Sequence, residues 1–390
     1  MKIPKISLLA KVIISIVLAL LVGDLLPALV VRLFVTFNGL FSNFLGFCVP
    51  LIILGLVAPS IADLGKNAGK LLALTVALAY GSTLLSGFST YLTTSAIFPT
   101  LLGTDVISEV QSPEIGLLTP FFSVGMPPVF DVMTALILAF TLGIGIALFG
   151  GSTLKSGLAE FRVIIERLIV SIIIPLLPIY IFGIFLNIKH SGAAFQVILV
   201  FGKIIMVIFV LHVIFLLAVY CIAGLVGRKN PFKLLLTMMP AYMTALGTSS
   251  SAATIPVTLE QTKKNGVSPD VADFCIPLCA TINLSGSMMK ITATSLAICM
   301  MHGLPHEVGL YVGFILLLGI VMVAAPGVPG GAIMAAIGVL QTVLGFSPAE
   351  VGLMIALYIA IDSFGTACNV TGDGAIAVVI DSINKKFFKR

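Results

Sequence analysis

The sequence predicts an all-α integral membrane protein, and three observations lead to this class. Its 390 residues are 59% hydrophobic and only 9% charged, whereas about a quarter of the residues of a soluble domain are charged. Apolar runs of about 20 residues, the length a helix needs to cross a bilayer, recur along the chain. Two further apolar segments are interrupted by glycine, proline or serine, which is typical of re-entrant helical hairpins.

Eight apolar runs are long enough to be transmembrane helices. We place them at 8–31, 33–61, 71–98, 118–150, 164–188, 193–226, 270–301 and 349–381. Lys2, Lys5 and Lys11 precede the apolar stretch that begins at Val12, as in a signal peptide, but this stretch lacks a small-residue cleavage site and exceeds the usual ~7–15 apolar residues. We therefore expect it to be retained as the first span.

The charges between the spans predict the orientation. Lysine and arginine cluster at 66–70, 162–167, 228–233, 263–264 and 385–390, whereas the charged residues of 99–118 are all acidic. The positive-inside rule places the basic clusters and both termini in the cytoplasm, in a multi-pass protein of the cell (inner or plasma) membrane. Because the positive charge lies in such short clusters, we expect no nucleic-acid partner.

The two interrupted segments predict hairpins of opposite orientation. Residues 231–262 have apolar halves around the centre GTSSS, and basic clusters flank both ends, so this hairpin opens to the cytoplasm. In 309–345 the sequence PGVPGG separates two apolar halves, and by parity this hairpin opens outside. Two interrupted segments of opposite orientation are typical of the inverted repeats of secondary transporters. The alternative, two kinked but complete spans, conflicts with the side of the membrane on which the flanking basic clusters must lie.

The last predicted span carries polar side chains at spacings of i, i+4, i+7 and i+11, which share one helix face. They are Asp362, Thr366, Asn369 and Asp373, with Gly365 on the same face. Carboxylates inside a membrane are costly and are functional by default. The alternative is a structural ion pair, but only one basic side chain lies deep in a neighbouring span. We therefore predict that this face binds a ligand or an ion.

The seventh span contains the sequence NLSGSMMK. Its asparagine, glycine and serines predict a local break in the helix, and unwound carbonyls are frequent sodium ligands in transporters. The motif alone is not specific, since asparagine and serine also join helices by hydrogen bonds. Lys290 lies about 16 Å from the outer end of the span, too deep for easy snorkelling. The alternative is a lysine that faces a water-filled vestibule.

Together these features resemble the dicarboxylate/amino acid:cation symporter family, the glutamate transporter homologues. The resemblance covers nearly the whole chain and rests on TSSSAATIPVT, GVPGG, NLSGS and NVTGD. It implies an elevator-type fold of eight spans and two re-entrant hairpins, assembled as a homotrimer in the lipid bilayer. Residues 1–70 and 118–192 would form the trimerisation scaffold, and 71–117 with 193–390 the moving transport domain.

The resemblance also implies site residues. Asp362 would bind the substrate α-ammonium, and Asn369 with the first-tip serines, chiefly Ser251, the α-carboxylate. The other implied substrate-site residues are Ser249, Ser250, Ser287, Gly327, Val328, Pro329, Gly330, Gly365 and Thr366, with 327–331 as the outer gate. One sodium ion would be held by Asp373 and backbone carbonyls near Cys279, Asn283 and Asn369. A second would be held by backbone at Thr281, Met322, Val323 and Ala325. No organic cofactor is implied.

Two departures from the family pattern shape the expected chemistry. Acidic-substrate members have an arginine where Gly365 stands, so we expect a neutral α-amino acid, whose ammonium suits Asp362. The family's NMDGT aspartate, which helps to bind another sodium ion, is Ser285 here, while Lys290 is gained. Our hypothesis is that the Lys290 ammonium replaces that sodium ion and takes an acidic partner such as Asp362 or Asp373. The matching neighbours of the lost sodium site are Tyr80, Thr83 and Ser285.

The sequence therefore predicts a transporter rather than an enzyme: a sodium-coupled symporter that brings a serine-, threonine- or alanine-like amino acid into the cell. One alternative is a proton-coupled or exchange-type carrier. Another is a symporter of acidic amino acids or dicarboxylates in which Lys290 replaces the missing arginine. An ion channel or an intramembrane enzyme would be a different class, and no HExxH or GxSxG motif supports the latter.

Overall fold

A computed structural model describes residues 8–64, 70–102, 118–192, 194–325 and 329–387. Within these ranges the chain is helical and has no strand, in agreement with the predicted class. In the described part, 6 helical segments are long and apolar enough to cross a membrane. They are Ala28–Pro59, Leu71–Leu102, Ser152–His190, Ile198–Gly227, Pro269–His302 and Asp362–Lys386.

The helices are numbered in chain order. The first six are α1 (Leu8–Val22), α2 (Ala28–Leu64), α3 (Lys70–Leu102), α4 (Val132–Phe149), α5 (Ser152–Leu168) and α6 (Ile174–His190). A single π-helical segment, Ile169–Ile173, joins α5 to α6. The next five are α7 (Ala194–Gly227), α8 (Pro231–Thr237), α9 (Met239–Thr248), α10 (Ser251–Lys264) and α11 (Pro269–Ile282). The last five are α12 (Ser285–His302), α13 (Val308–Val323), α14 (Gly331–Leu344), α15 (Pro348–Ala360) and α16 (Asp362–Phe387).

The N-terminal spans differ from the predicted boundaries. The chain leaves α1 at Val22, nine residues before the predicted end of that span at 31, and α2 begins at Ala28. Pro27 directly precedes α2. Proline lacks an N–H, but N–H groups at the start of a helix have no partner within it, so no helix hydrogen bond is lost. The predicted span 118–150 is helical only from Val132, where the Asp131 carboxylate caps the helix by accepting from the Thr134 N–H at 2.8 Å.

The last predicted span is two helices rather than one. Its first helix, α15, ends at Ala360, and the second, α16, begins at Asp362. Asp362 therefore lies in the first turn of α16, where the helix dipole favours a negative charge. The polar residues at 362–373 share α16 as predicted, but they start at a helix N-terminus instead of in the middle of a continuous span.

The predicted break in the seventh span is confirmed. The first half, α11, ends at Ile282, and α12 begins at Ser285, so Asn283 and Leu284 are not helical. The two interrupted segments also divide into shorter helices. The first contains α8, α9 and α10, of which α9 and α10 meet at Ser249–Ser250 and pack together, and in the second α13 packs on α14.

The packing brings these interrupted elements around α16. This helix contacts α3, α7, α9, α10, α11 and α12, and together they bury one apolar cluster. A second cluster joins α2, α4, α5 and α6 to α12–α15. Because α16 is enclosed on most sides, its polar residues face other protein segments rather than lipid.

Candidate functional site

The Asp362 carboxylate is the centre of the polar site. Its Oδ1 accepts from the Lys290 ammonium at 2.9 Å, and its Oδ2 accepts from the Gly330 N–H at 2.8 Å. The ammonium also lies 3.6 Å from the centroid of the Tyr358 ring, a cation–π contact. Lys290 is completely buried and Asp362 is 6% exposed. The carboxylate, the lysine and the second hairpin tip therefore form one connected unit.

The missing side chain at Gly365 makes room for this lysine. A Cβ at this position would lie 2.3 Å from Lys290 Cε and 2.6 Å from Nζ, so the lysine and any larger residue at 365 exclude each other. Helix α12 therefore places the Lys290 ammonium where a side chain at 365 would begin.

Asn369, two turns after Asp362 on α16, meets Ser287 of α12. Asn369 Oδ1 accepts from the Gly286 N–H at 2.7 Å, and its Nδ2 donates to Ser287 Oγ at 3.2 Å. The Tyr358 hydroxyl donates to the same serine oxygen at 3.0 Å. This network links α12, α15 and α16. The Thr366 hydroxyl instead donates to the Asp362 carbonyl oxygen of its own helix at 3.0 Å.

The serines of the first hairpin tip lie beside the start of α16. Ser249 adopts a left-handed conformation with φ 49°, which is uncommon for a residue with a side chain. Its hydroxyl is 2.7 Å from that of Ser363. Ser250 caps α10 by accepting from the Ala253 N–H, and Ser251 is buried in the first turn. The tip therefore presents the N-terminus of α10 near Asp362.

The second hairpin tip is described only in part. Gly327 and Val328 lie outside the described residues, whereas Pro329 precedes Gly330, which bonds Asp362. The residues predicted for the second sodium ion are at helix ends. Thr281 is in the last turn of α11, Met322 and Val323 end α13, and Ala325 follows that helix, which contacts α11.

The residues predicted for the first sodium ion converge. Asn283 Nδ2 donates to Asp373 Oδ1 at 2.8 Å and to the Asn369 carbonyl at 3.3 Å, and the Asn283 N–H donates to the Cys279 carbonyl. Asp373 is buried, and its Oδ2 has no hydrogen-bond partner among the described residues. A buried carboxylate oxygen without a donor, beside backbone carbonyls, fits an oxygen-ligated cation.

The structure describes the hydrogen bonds of two residues expected near Lys290. Thr83 Oγ1 accepts from the Leu284 N–H, and Ser285 bonds Ser82. The helix breaks before Ser285, and five residues along α12 turn a side chain by about 140°. The Lys290 ammonium itself bonds Asp362, a residue of the predicted substrate site.

Three contributors to this site were not predicted from the sequence. Tyr358 and Ser363 flank Asp362, and the His212 ring nitrogen Nε2 lies 3.2 Å from the Gly286 carbonyl. A histidine in span six was visible in the sequence, but nothing in its spacing connected it with α12. Tyr358 lies on α15, a separate helix from α16, and its ring contacts the Lys290 ammonium.

Gly286 sets how closely α12 approaches α16. A Cβ there would lie 2.5 Å from the Gly365 carbonyl oxygen and 2.8 Å from Cys368 Cβ. We expect Gly286→Ala to destabilise the protein by about 1–3 kcal/mol, because backbone cannot move aside as a flexible side chain can. Thermal unfolding in detergent measures this. Gly313→Ala in α13, with nothing within 4 Å, is the matched control. Equal transition midpoints for the two variants would contradict the prediction.

Comparison with known proteins places this arrangement in a family. The family model described as "Sodium:dicarboxylate symporter family" matches residues 8–383. The chain is also similar to proteins named "Serine/threonine transporter SstT" from Acinetobacter baumannii strains AYE, AB307-0294 and AB0057. Each is 28% identical over 398 residues, covering 97% of this chain and 97% of the relative. The chain therefore belongs to the sodium:dicarboxylate symporter family and is a membrane transporter, not an enzyme.

Proposed function

We propose that the protein is a secondary active symporter that uses sodium ions to carry a neutral α-amino acid of the serine, threonine or alanine type into the cell. The observation that carries this proposal is the buried Lys290–Asp362 pair at 2.9 Å. Because the pair is balanced in charge, a zwitterionic substrate adds no net charge to a buried site, whereas an acidic substrate does. The names of the relatives support the same substrate class.

In the proposed binding mode, the substrate α-ammonium takes up a position at Asp362, and its α-carboxylate faces the first tip and Asn369. Serine hydroxyls and free N–H groups at the N-terminus of α10 suit an anion. Lys290 fills the space beside Gly365, which leaves room for a small side chain only. One Asn369 N–H donates to Ser287 Oγ, and the second N–H of the same amide is the donor that we assign to the substrate carboxylate.

The proposed coupling ions are sodium. Asp373, with the carbonyls of Cys279, Asn283 and Asn369, would hold the first ion, and the ends of α11 and α13 would supply backbone oxygens for the second. The unpartnered Asp373 Oδ2 supports the first site. The Lys290 ammonium bonds Asp362, so we assign it to the substrate site.

The proposed mechanism is an elevator in a homotrimer, with eight spans, two re-entrant hairpins and both termini in the cytoplasm. Residues 1–70 and 118–192 would be the fixed scaffold, and 71–117 with 193–390 the moving domain. The packing supports this division, because α2 contacts α4, α5 and α6, whereas the site itself is built from α9–α16.

One observation favours a second candidate function. The Lys290 ammonium lies where a side chain at Gly365 would begin, so it is placed to act for the missing arginine and to bind an acidic side chain or a dicarboxylate. In that case Lys290 must release Asp362 when substrate binds.

Uptake into proteoliposomes tests the proposal. We expect saturable uptake of labelled serine, threonine or alanine that requires an inward sodium gradient and stops when the gradient is dissipated. Sodium-driven uptake of aspartate in preference to serine would favour the second candidate. Uptake driven by a pH gradient without sodium would favour proton coupling. A thermal-shift screen of the twenty amino acids with and without sodium gives an independent measure, since a ligand at 100 times its Kd stabilises by ~2.7 kcal/mol.

A further inference from the structure

The ammonium site at Asp362 is filled by the chain's own cation. An ammonium donor occupies Oδ1, an aromatic face lies 3.6 Å from the ammonium, and the second tip donates to Oδ2. A substrate α-ammonium would need the same carboxylate. We propose that Lys290 is a tethered occupant of this site: in the empty carrier its ammonium takes the place of the substrate ammonium at Asp362, so that the empty site holds no unpaired charge.

This inference rests on the proposed function, because it assumes a substrate with an ammonium group. Its physical basis is the burial of the pair. Lys290 is 0% exposed and Asp362 6% exposed, so neither charge has access to bulk water. An unpaired carboxylate at this depth is strongly unfavourable, and a closed, empty site without a cation would contain one.

The surroundings of Lys290 are suited to an exchange of partners. The lysine has a long flexible stem and three donors, and the Tyr358 ring offers a second surface for its charge. The Tyr358 hydroxyl donates to Ser287 at 3.0 Å, which holds the ring in place. Gly365 has no side chain to obstruct the stem. A substrate can therefore take Asp362 while the ammonium stays at the ring.

Gly330 of the second tip bonds the same carboxylate. The Gly330 N–H bonds Asp362 Oδ2 at 2.8 Å, and Gly330 has φ 75°, a left-handed conformation that favours glycine. Gly330 can therefore keep this bond whether the other carboxylate oxygen binds Lys290 or a substrate. The empty carrier would then return without a second transported cation.

The return step gives the first test. Net uptake requires return of the empty carrier, but exchange between loaded compartments does not. We expect Lys290→Met to lower the ratio of net uptake to exchange at least tenfold in proteoliposomes. Lys263→Met is the control, because Lys263 pairs with the exposed Asp273 outside the site, and its ratio should equal that of the wild type. An unchanged ratio in Lys290→Met, or a parallel loss of both modes, overturns the proposal.

A second variant keeps the test decisive if Lys290→Met does not fold. Lys290→Ala leaves a space beside Asp362 that methylammonium can fill. We expect methylammonium to raise the thermal midpoint of Lys290→Ala at concentrations at least tenfold lower than for the wild type, and to restore the ratio of net uptake to exchange. Equal responses of the two proteins overturn the proposal. If the wild type carries no neutral amino acid in either mode, the proposed function fails, while methylammonium binding still reports on the tethered cation.

Discussion

Asp362→Asn is expected to abolish transport and to destabilise the protein by about 3–5 kcal/mol, because it leaves the Lys290 ammonium buried without a counter-charge. The lysine is completely buried and its ion pair is 2.9 Å long. An asparagine keeps the shape of the side chain but removes the charge. Thermal or denaturant unfolding in detergent measures the loss of stability, and amino acid uptake into proteoliposomes measures the loss of function.

The double variant Asp362→Asn, Lys290→Met separates the two effects. We expect it to recover most of the stability, since apolar replacement of a whole buried pair is often close to neutral, but not the transport. Asp273→Asn, which breaks the solvent-exposed pair with Lys263, is the control and should cost only about 0–1 kcal/mol. A double variant as unstable as Asp362→Asn alone would show that the ion pair does not explain the destabilisation.

Asp373→Asn should have the second-largest effect. Unlike Asp362→Asn, it should not destabilise the protein in the absence of sodium. The variant removes a buried charge whose Oδ2 has no partner among the described residues, so the sodium-free protein should be as stable as the wild type or more stable. Sodium affinity should fall by at least roughly 10–100-fold, the loss typical of a residue that supports a metal site. Thermal midpoints across a sodium titration measure both quantities.

Asp381→Asn is the matched control for that experiment. Asp381 lies on the same helix, but its carboxylate accepts from Ser268 and from Lys385. Its loss should lower the midpoint modestly and leave the sodium response unchanged. If Asp373→Asn retained the wild-type sodium response, the first sodium ion would have to be assigned elsewhere.

Local chemistry allowed much of this architecture to be predicted. Glycine and small hydroxyl residues indicated the break between α11 and α12, and polar residues at helical spacing placed Asp362 and Asp373 on one face. The non-helical chain before Val132 and the break at Ile361 were missed. Hydropathy alone does not detect such interruptions, because the residues around them are as apolar as those of a continuous transmembrane helix.

The sequence by itself determined that the protein is a helical membrane protein with interrupted segments, and that a lysine as deep as Lys290 requires an acidic partner. Only the tertiary structure decided which one. The non-helical residues 283–284 reset the rotation of α12, and Gly365 leaves space for the lysine stem, so the ammonium bonds Asp362 and not Asp373. Such a choice depends on the relative rotation of two packed helices, which no spacing within one chain segment specifies.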